Sequence, residues 1–374
     1  MSKEFVHIRR QPVTIFFMFV VPAMQTLIFG FAIDTQIENI PLVVYDQDGR
    51  RHARELTEAF ENTRRFRVVH RALSEDAFRR WLTSGRAKVG LRIPPYFSDR
   101  LIRSEQVRVQ VLIDGSDSQV ATTAMNSASL LGLNRSLRLS AERDEKRGSG
   151  PARNQAGQIV LPIEVRPRLL YNPDLESSRF FVPGLVGIIM QLVTLFLTSF
   201  AIVREREMGT LEQLFVTPVG RAGLLAGKLL PYAVVGFVET LLVLVIMVYV
   251  FGVPVQGSLS LLLLLACLFL ICSLGLGLLV STIAETQLAA VQFAFVIMLP
   301  SVLLSGFMFP REEMPWIIRM VTYAIPVTYF IEILRGIVLR AAGFQDLLLS
   351  VLGLSICAAL VLSTSVARFQ KKLA

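Results

Sequence analysis

Long stretches of this chain carry no charged side chain, and their lengths match what a lipid bilayer demands. A membrane-spanning helix needs about 20 largely apolar residues, because the hydrocarbon core is about 30 Å thick and a helix rises about 1.5 Å per residue. Residues 11–33 make one such run and residues 180–203 a second. From Thr240 to Ala284 no charge occurs for 45 residues, which as one helix would reach roughly 68 Å, about two bilayers. That run has to fold back. Gly252-Val253-Pro254, followed by Gly257-Ser258, supplies the break and separates Leu229–Phe251 from Leu259–Ile283. Residues 286–310 and 347–367 complete a set of six predicted spans.

An even number of spans puts both termini on one side. Lys3, Arg9 and Arg10 precede the first span, Arg204, Arg206, Arg221 and Lys228 lie between the second and third, and Arg368, Lys371 and Lys372 follow the last. Basic residues beside span ends favour the cytoplasm, so all three segments are assigned there. The segment 311–344 runs against this, with Arg311, Arg319, Arg335 and Arg340 on the opposite side. Trp316 to Leu339 is therefore read as a re-entrant pair of short helices broken at Pro326, since a seventh full span would send the basic C-terminus outside. The first run, at 23 residues, exceeds the core of a cleaved signal peptide and reads as an uncleaved anchor.

Between the first two spans the pattern changes. Residues 34–180 hold 24 of the 38 basic and 19 of the 29 acidic residues. Short β-branched runs at Ile40–Tyr45, Phe66–His70, Ala87–Ile93, Val107–Ile113 and Ile163–Tyr171 predict strands. Amphipathic patterns at Arg50–Asn62, Ser74–Ser84, Pro95–Ile102 and Ser116–Arg143 predict helices. Strands alternating with helices imply an inserted α/β domain with a small sheet. Glu142 to Gly157, charged and glycine-rich, reads as a mobile loop. The expected organisation is thus an N-terminal cytoplasmic segment with the first span over 1–33, an extracytoplasmic α/β domain over 34–180, and five further spans over 181–374. The fold class is an α-helical polytopic membrane protein with this insertion.

Composition narrows the function. The chain of 374 residues is 53% hydrophobic and 18% charged, displaced toward lipid from the usual soluble composition. Its net charge of +9 would suggest nucleic acid in a soluble protein, but the charges flank spans or belong to the insert, so no nucleic acid is expected. Cys267, Cys272 and Cys357 all lie in spans, and small packed thiols are the plain reading. His7, His52 and His70 are scattered, with no metal-ligand spacing, and no serine-hydrolase elbow occurs. Gly223-Leu224-Leu225-Ala226-Gly227-Lys228-Leu229 imitates a phosphate loop but is one residue short between its glycines, and Leu229 replaces the Ser or Thr that binds Mg²⁺. The chain is expected to bind no cofactor and to carry no catalytic residue of its own.

The cytoplasmic elbow is the most patterned polar segment. It runs Arg204-Glu205-Arg206-Glu207-Met208-Gly209-Thr210-Leu211-Glu212-Gln213-Leu214-Phe215-Val216-Thr217-Pro218. Thr210 and Gln213 fit a capping box and Thr217-Pro218 ends the turn pair, so a helix of about two turns is predicted, with Leu211, Leu214 and Phe215 on one side. Those apolar side chains need a surface, either a partner's groove or the chain's own span ends.

Here the sequence resembles the ABC-2 type exporter permeases. Glu-Met-Gly-Thr-Leu-Glu-Gln-Leu-Phe-Val-Thr-Pro from Glu207 to Pro218, followed by Gly-Lys-Leu-Leu-Pro-Tyr to Tyr232, is similar to that family's coupling region. Leu304 to Pro310, Met314-Pro315, Tyr323 to Phe330 and Leu334-Arg335-Gly336-Ile337 resemble its C-terminal signature. Leu91 to Phe97 and Asp114 to Ser118 resemble its insert, which marks the bacterial multidrug-type subgroup with a large extracytoplasmic domain. The resemblance implies a second permease, as homo- or heterodimer, and separate ATP-binding subunits that use ATP and Mg²⁺. A periplasmic adaptor protein is a further partner it raises, beside membrane lipid. It further implies that Glu205, Gly209, Thr210, Leu211, Glu212, Leu214 and Phe215 couple the spans to the ATPase. The localisation it implies is the bacterial inner membrane.

Within the spans, Glu239 stands about a third of the way along the third. An intramembrane carboxylate is costly unless it faces protein or water, so it either lines the transport path or a dimer contact, or is buried with a local partner or proton. Glu332 and Arg335, three apart on the second re-entrant helix, can meet on one face, as a structural ion pair or as part of a gate. A membrane receptor whose insert senses a ligand is the alternative from another class. It would ordinarily need a cytoplasmic output domain, whereas the largest cytoplasmic segment here has about 25 residues.

Overall fold

In the computed structural model, the structure describes residues 37–103, 105–147, 161–209, 221–308, 311 and 314–368. The expected first span, 11–33, lies outside them. The chain divides into two compact units, one comprising residues 181–338 and 347–374 with the first 35, the other residues 36–180 together with Leu339–Asp346.

The second unit is built on a five-stranded mixed sheet in the order β2-β1-β3-β4-β5. Its strands are β1 (Ile40–Asp46), β2 (Phe66–Arg71), β3 (Val89–Ile93), β4 (Val107–Asp114) and β5 (Ile163–Leu170). β1 pairs in parallel with β2 and β3, β3 is antiparallel to β4, and β4 is parallel to β5. Helices α1 (Arg51–Asn62), α2 (Glu75–Thr83), α3 (Phe97–Ile102) and α4 (Ser118–Arg147) fill the connections. Alternation along β1 sends Leu42 and Val44 into a core with Leu56, Phe60 and Phe97, and Val43 into a smaller core with Phe78 and Leu82. The sheet is therefore covered on both faces, and the parallel pairing follows from the helical crossovers. α4 continues to Arg147, so the loop expected from Glu142 begins later than its composition suggests. Residues 148–160 lie outside the described part.

The eight residues Leu339–Asp346, far away in sequence, belong to this unit. Arg340 is the reason. Its guanidinium is buried beside Asp114, with Nη1 3.4 Å from Oδ2, and the Lys88 ammonium lies 3.5 Å from the same oxygen. Ser116 donates its backbone N–H to Asp114 Oδ1 at 2.9 Å. Burial by itself pushes the Asp114 carboxyl up, but Lys88, Arg340 and the Ser116 bonds outweigh it and hold the group below the usual carboxylate range. Gly85 makes the room. It sits at φ +72°, and a Cβ there would lie 2.8 Å from the Arg340 guanidinium carbon. Both its conformation and its neighbour call for glycine.

The first unit is helical, with α5 (Ser177–Glu207), α6 (Arg221–Tyr249), α7 (Leu259–Ile283), α8 (Gln287–Leu304), α9 (Trp316–Thr322), α10 (Pro326–Arg340) and α11 (Leu348–Arg368). Five of them, α5, α6, α7, α8 and α11, are long and apolar enough to cross a membrane. α9 and α10 meet at 83°, so the break before Pro326 is a sharp bend. The sequence accounts for the span edges. Ser258 accepts from Leu261 N at 3.3 Å to open α7, and Thr286 accepts from Ala289 N at 3.1 Å to open α8, both as N-caps. α8 stops at Leu304, short of the predicted 310, because Gly306 turns into the left-handed region at φ +84°. α7 and α11 pack closely, with Ser365 Oγ donating to the Gly275 carbonyl at 2.9 Å.

Candidate functional site

The charged end of α5 is where the chain's own helices converge. Arg204-Glu205-Arg206-Glu207 continues the helix past the apolar run, and three of the four side chains reach other elements. Glu205 pairs with Lys228 near the start of α6. Arg206 Nη1 donates to the Ala284 carbonyl at 3.0 Å, one of the carbonyls left over at the end of α7. Glu207 accepts from the Gln287 backbone N–H at 2.8 Å and from its side-chain amide at 2.5 Å. A carboxylate at the first turn of α8 satisfies an open donor and suits the helix dipole. Gly209, exposed and at φ +69°, then ends α5 with its N–H on the Arg206 carbonyl at 3.1 Å. A displacement of the segment that follows Gly209 would thus act at once on the ends of α5, α6, α7 and α8.

Of the elbow residues singled out in the sequence, Glu205 is in this collar and Gly209 closes the helix that carries it. Thr210, Leu211, Glu212, Leu214 and Phe215 lie outside the described residues. Sequence reasoning missed Arg206 and Glu207 as anchors. Their alternation with Arg204 and Glu205 was the available signal, but their partners, 78 and 80 residues away, carry no pattern of their own.

Near the re-entrant bend the polar groups pair differently from the i,i+3 expectation. Glu332 binds Arg311 and accepts from Ser350 Oγ of α11 at 2.8 Å. Arg335 turns toward the backbone past α8, donating to the Gly306 carbonyl at 2.9 Å and the Phe307 carbonyl at 3.2 Å. The chain's irregular turn after α8 needs donors for its open carbonyls, and Arg335 supplies them. Arg311 also stacks over Tyr323, 5.0 Å from the ring centre. In α6, Glu239 has both carboxylate oxygens shielded from solvent and without a hydrogen bond. Among the described residues no group of His, Cys, Asp or Glu is placed to hold a metal ion.

A family model for the ABC-2 family transporter protein matches residues 12–367. The chain belongs to the ABC-2 transporter family. It is 30% identical over 370 residues to the probable multidrug ABC transporter permease YbhR of Escherichia coli, covering 99% of this chain and 97% of the relative. It is 32% identical over 340 residues to the probable multidrug ABC transporter permease YbhS of the same organism, covering 90% and 86%. ABC transporter G family member 20 of Dictyostelium discoideum is 24% identical over 346 residues, 92% of this chain and 46% of that longer protein.

This chain is accordingly an integral membrane permease subunit, and membership of the ABC-2 family implies partnership with an ATP-binding subunit. At the end of α5, charged side chains tie this helix to α6, α7 and α8.

Proposed function

We propose that this chain is the membrane half of an ABC exporter, using ATP hydrolysed by a separate subunit to move an amphipathic or drug-like substrate out of the cytoplasm or inner leaflet. It works as a homo- or heterodimer in the bacterial inner membrane, without a catalytic site of its own and without a bound cofactor. Residues 11–33 supply a sixth span, α9 and α10 form the re-entrant segment within 311–340, both termini face the cytoplasm, and the α/β domain stands outside. A long domain translocates largely regardless of its charge, so the basic character of residues 34–180 is compatible with that placement.

The single observation that carries the reading is the collar of Glu205, Arg206 and Glu207 on α6, α7 and α8, directly before the elbow. Thr210, Leu211, Glu212, Leu214 and Phe215 would engage a cleft of the ATP-binding subunit, with Gly209 as the pivot, and closure of that subunit's dimer would shift the spans through the collar. Coupling would then act through the helical unit as a two-state element, with the elbow as its lever.

Co-purification tests it. The chain, expressed with its ATP-binding subunit, should retain that subunit through detergent extraction, and Leu214→Asp or Phe215→Asp should release it, since a charge placed in an apolar groove has no partner. Undiminished retention by both variants would remove the elbow from the contact.

A further inference from the structure

Most hydroxyls inside the helical unit return their proton to their own helix. Thr198 donates to the Thr194 carbonyl at 2.8 Å, Thr240 to Gly236 at 2.7 Å and Ser281 to Leu278 at 2.6 Å. This is the usual way for Ser and Thr to live in an apolar helix bundle. Thr194 and Ser273 do not follow it. Each is 1% exposed, and neither hydroxyl has a hydrogen-bond partner.

Two more orphans lie on α5 and α6. Gln191, 2% exposed, spends its amide donor on Ser301 Oγ at 3.0 Å and leaves Oε1 unpaired. Glu239 leaves both carboxylate oxygens unpaired. The levels follow from the close approaches between helices. A Cβ on Gly236 of α6 would lie 2.6 Å from Leu270 of α7 and 3.2 Å from Thr194 Oγ1 of α5, so the three helices meet there. Successive spans alternate in direction, so Gln191, one turn before Thr194 on α5, and Glu239, one turn after Gly236 on α6, lie on the same side of this crossing, each step about 5 Å, while Ser273, one turn after Leu270 on α7, lies on the other side with Thr194. Ser273 shares its face of α7 with Gly277, whose Cβ would meet Thr198 of α5 at 2.7 Å. Ser273 therefore looks toward α5.

Unpaired polar atoms in a dry interior each cost on the order of 1–3 kcal/mol. Of the twelve buried side-chain atoms without a hydrogen bond among the described residues, these five oxygens, on four residues of three helices, gather around one crossing. Their chemistry is one-sided: a carboxylate, an amide oxygen and two hydroxyls are all able to accept, and no described Lys or Arg pairs with the carboxylate. What completes such a set is a cation that donates hydrogen bonds.

We propose that Gln191, Thr194, Ser273 and Glu239 form an intramembrane binding site for the protonated amine of an amphipathic organic cation, with Glu239 as its counter-ion. The apolar body of the ligand lies along the exposed leucines and valines of α6. That the ligand is cargo rests on the exporter reading. The existence of the site does not.

The test is direct binding to the purified full-length chain in lipid nanodiscs, using two fluorescent probes of nearly equal shape. One is a dansyl-labelled diaminopentane, which carries a primary ammonium, and the other its neutral N-acetyl derivative. Glu239→Gln should weaken binding of the amine about tenfold or more, as expected for a lost charged hydrogen bond in a dry site, and should leave the acetylated probe within about twofold. Thr194→Val and Ser273→Ala should each weaken the amine by about threefold, the scale of a neutral hydrogen bond. Equal affinity of the amine for wild type and Glu239→Gln would overturn the site and leave Glu239 holding only a proton. Equal losses for both probes, or no binding of the amine to wild type, would overturn it as well. ATP-driven uptake in proteoliposomes containing the ATP-binding subunit separates the two claims: absence of transport for any probe would sink the exporter reading without touching the binding result.

Discussion

Asp114 and Glu239 are both carboxylates withdrawn from water, and the chain treats them in opposite ways. Asp114, 0% exposed, has Lys88, Arg340 and the Ser116 N–H arranged around it, and a glycine at 85 gives its arginine room. Glu239 has nothing. In the α/β unit the charge is neutralised by groups of the same chain, so it holds structure: it pins residues 339–346, at the end of α10, into a domain through an aspartate 226 residues before Arg340. In the helical unit the charge is left open among other open acceptors, so it is available to something that comes and goes. A buried carboxylate is a fastener when its partners are built in and a receptor when they are missing.

The strongest way to break the comparison is to remove the fastened charge. Asp114→Asn leaves Arg340 and Lys88 buried without a counter-ion, which should cost about 3–5 kcal/mol, read as faster hydrogen exchange of the β3 and β4 amides in the full-length chain. The effect has a pH signature. Because the native carboxyl titrates below its unfolded value, its contribution is fully present above about pH 4 and is lost as the pH falls through the native value. The gap between wild type and Asp114→Asn should hold from neutral pH to about 4 and close below it. Gly85→Ala should cost less, about 1–3 kcal/mol for a strained backbone and a displaced guanidinium, seen in the same amides.

Glu239→Gln sharpens the contrast from the other side. Removing an unpartnered charge deletes no bond, so the melting temperature of the full chain should stay level or rise, within about 1 kcal/mol of wild type. A loss comparable to that of Asp114→Asn would mean that Glu239 is fastened too. Glu332→Gln should fall between these two variants, at about 1–2 kcal/mol, because Glu332 is 43% exposed while Arg311, which loses its counter-charge, is only 12% exposed.

Much of the architecture could be read in advance for a simple reason. A charge-free run of span length has few ways to be satisfied, so residues 180–203 and Leu259–Ile283 announced α5 and α7, and Gly252-Val253-Pro254 announced the break between α6 and α7. The β-branched runs of the insert fell on β1 to β5 because both faces of that sheet are covered and every strand needs apolar residues. The Arg340–Asp114 pair was illegible, since nothing local distinguishes Arg340 from the other arginines of its segment. The acceptor cluster was illegible in a different way. Gln191, Thr194 and Ser273 are uncharged and stand among other hydroxyl residues of their spans, and only the closeness of three helices around Gly236 gives them a common meaning. Glu332 and Arg335 had the right spacing for each other, yet tertiary neighbours at Arg311, Gly306 and Phe307 claimed them.

We propose that motion enters this permease from a separate motor through the segment after Gly209. The most direct measurement is ATP-driven transport of a fluorescent amphipath by proteoliposomes holding the permease and its ATP-binding subunit, with wild type compared against Leu214→Asp. Transport that requires both subunits and falls at least about tenfold in the variant, matching the loss of one buried apolar contact and the burial of an unpaired charge, is the result expected. Hydrolysis of ATP by the permease alone, or transport by Leu214→Asp at the wild-type rate, would contradict it.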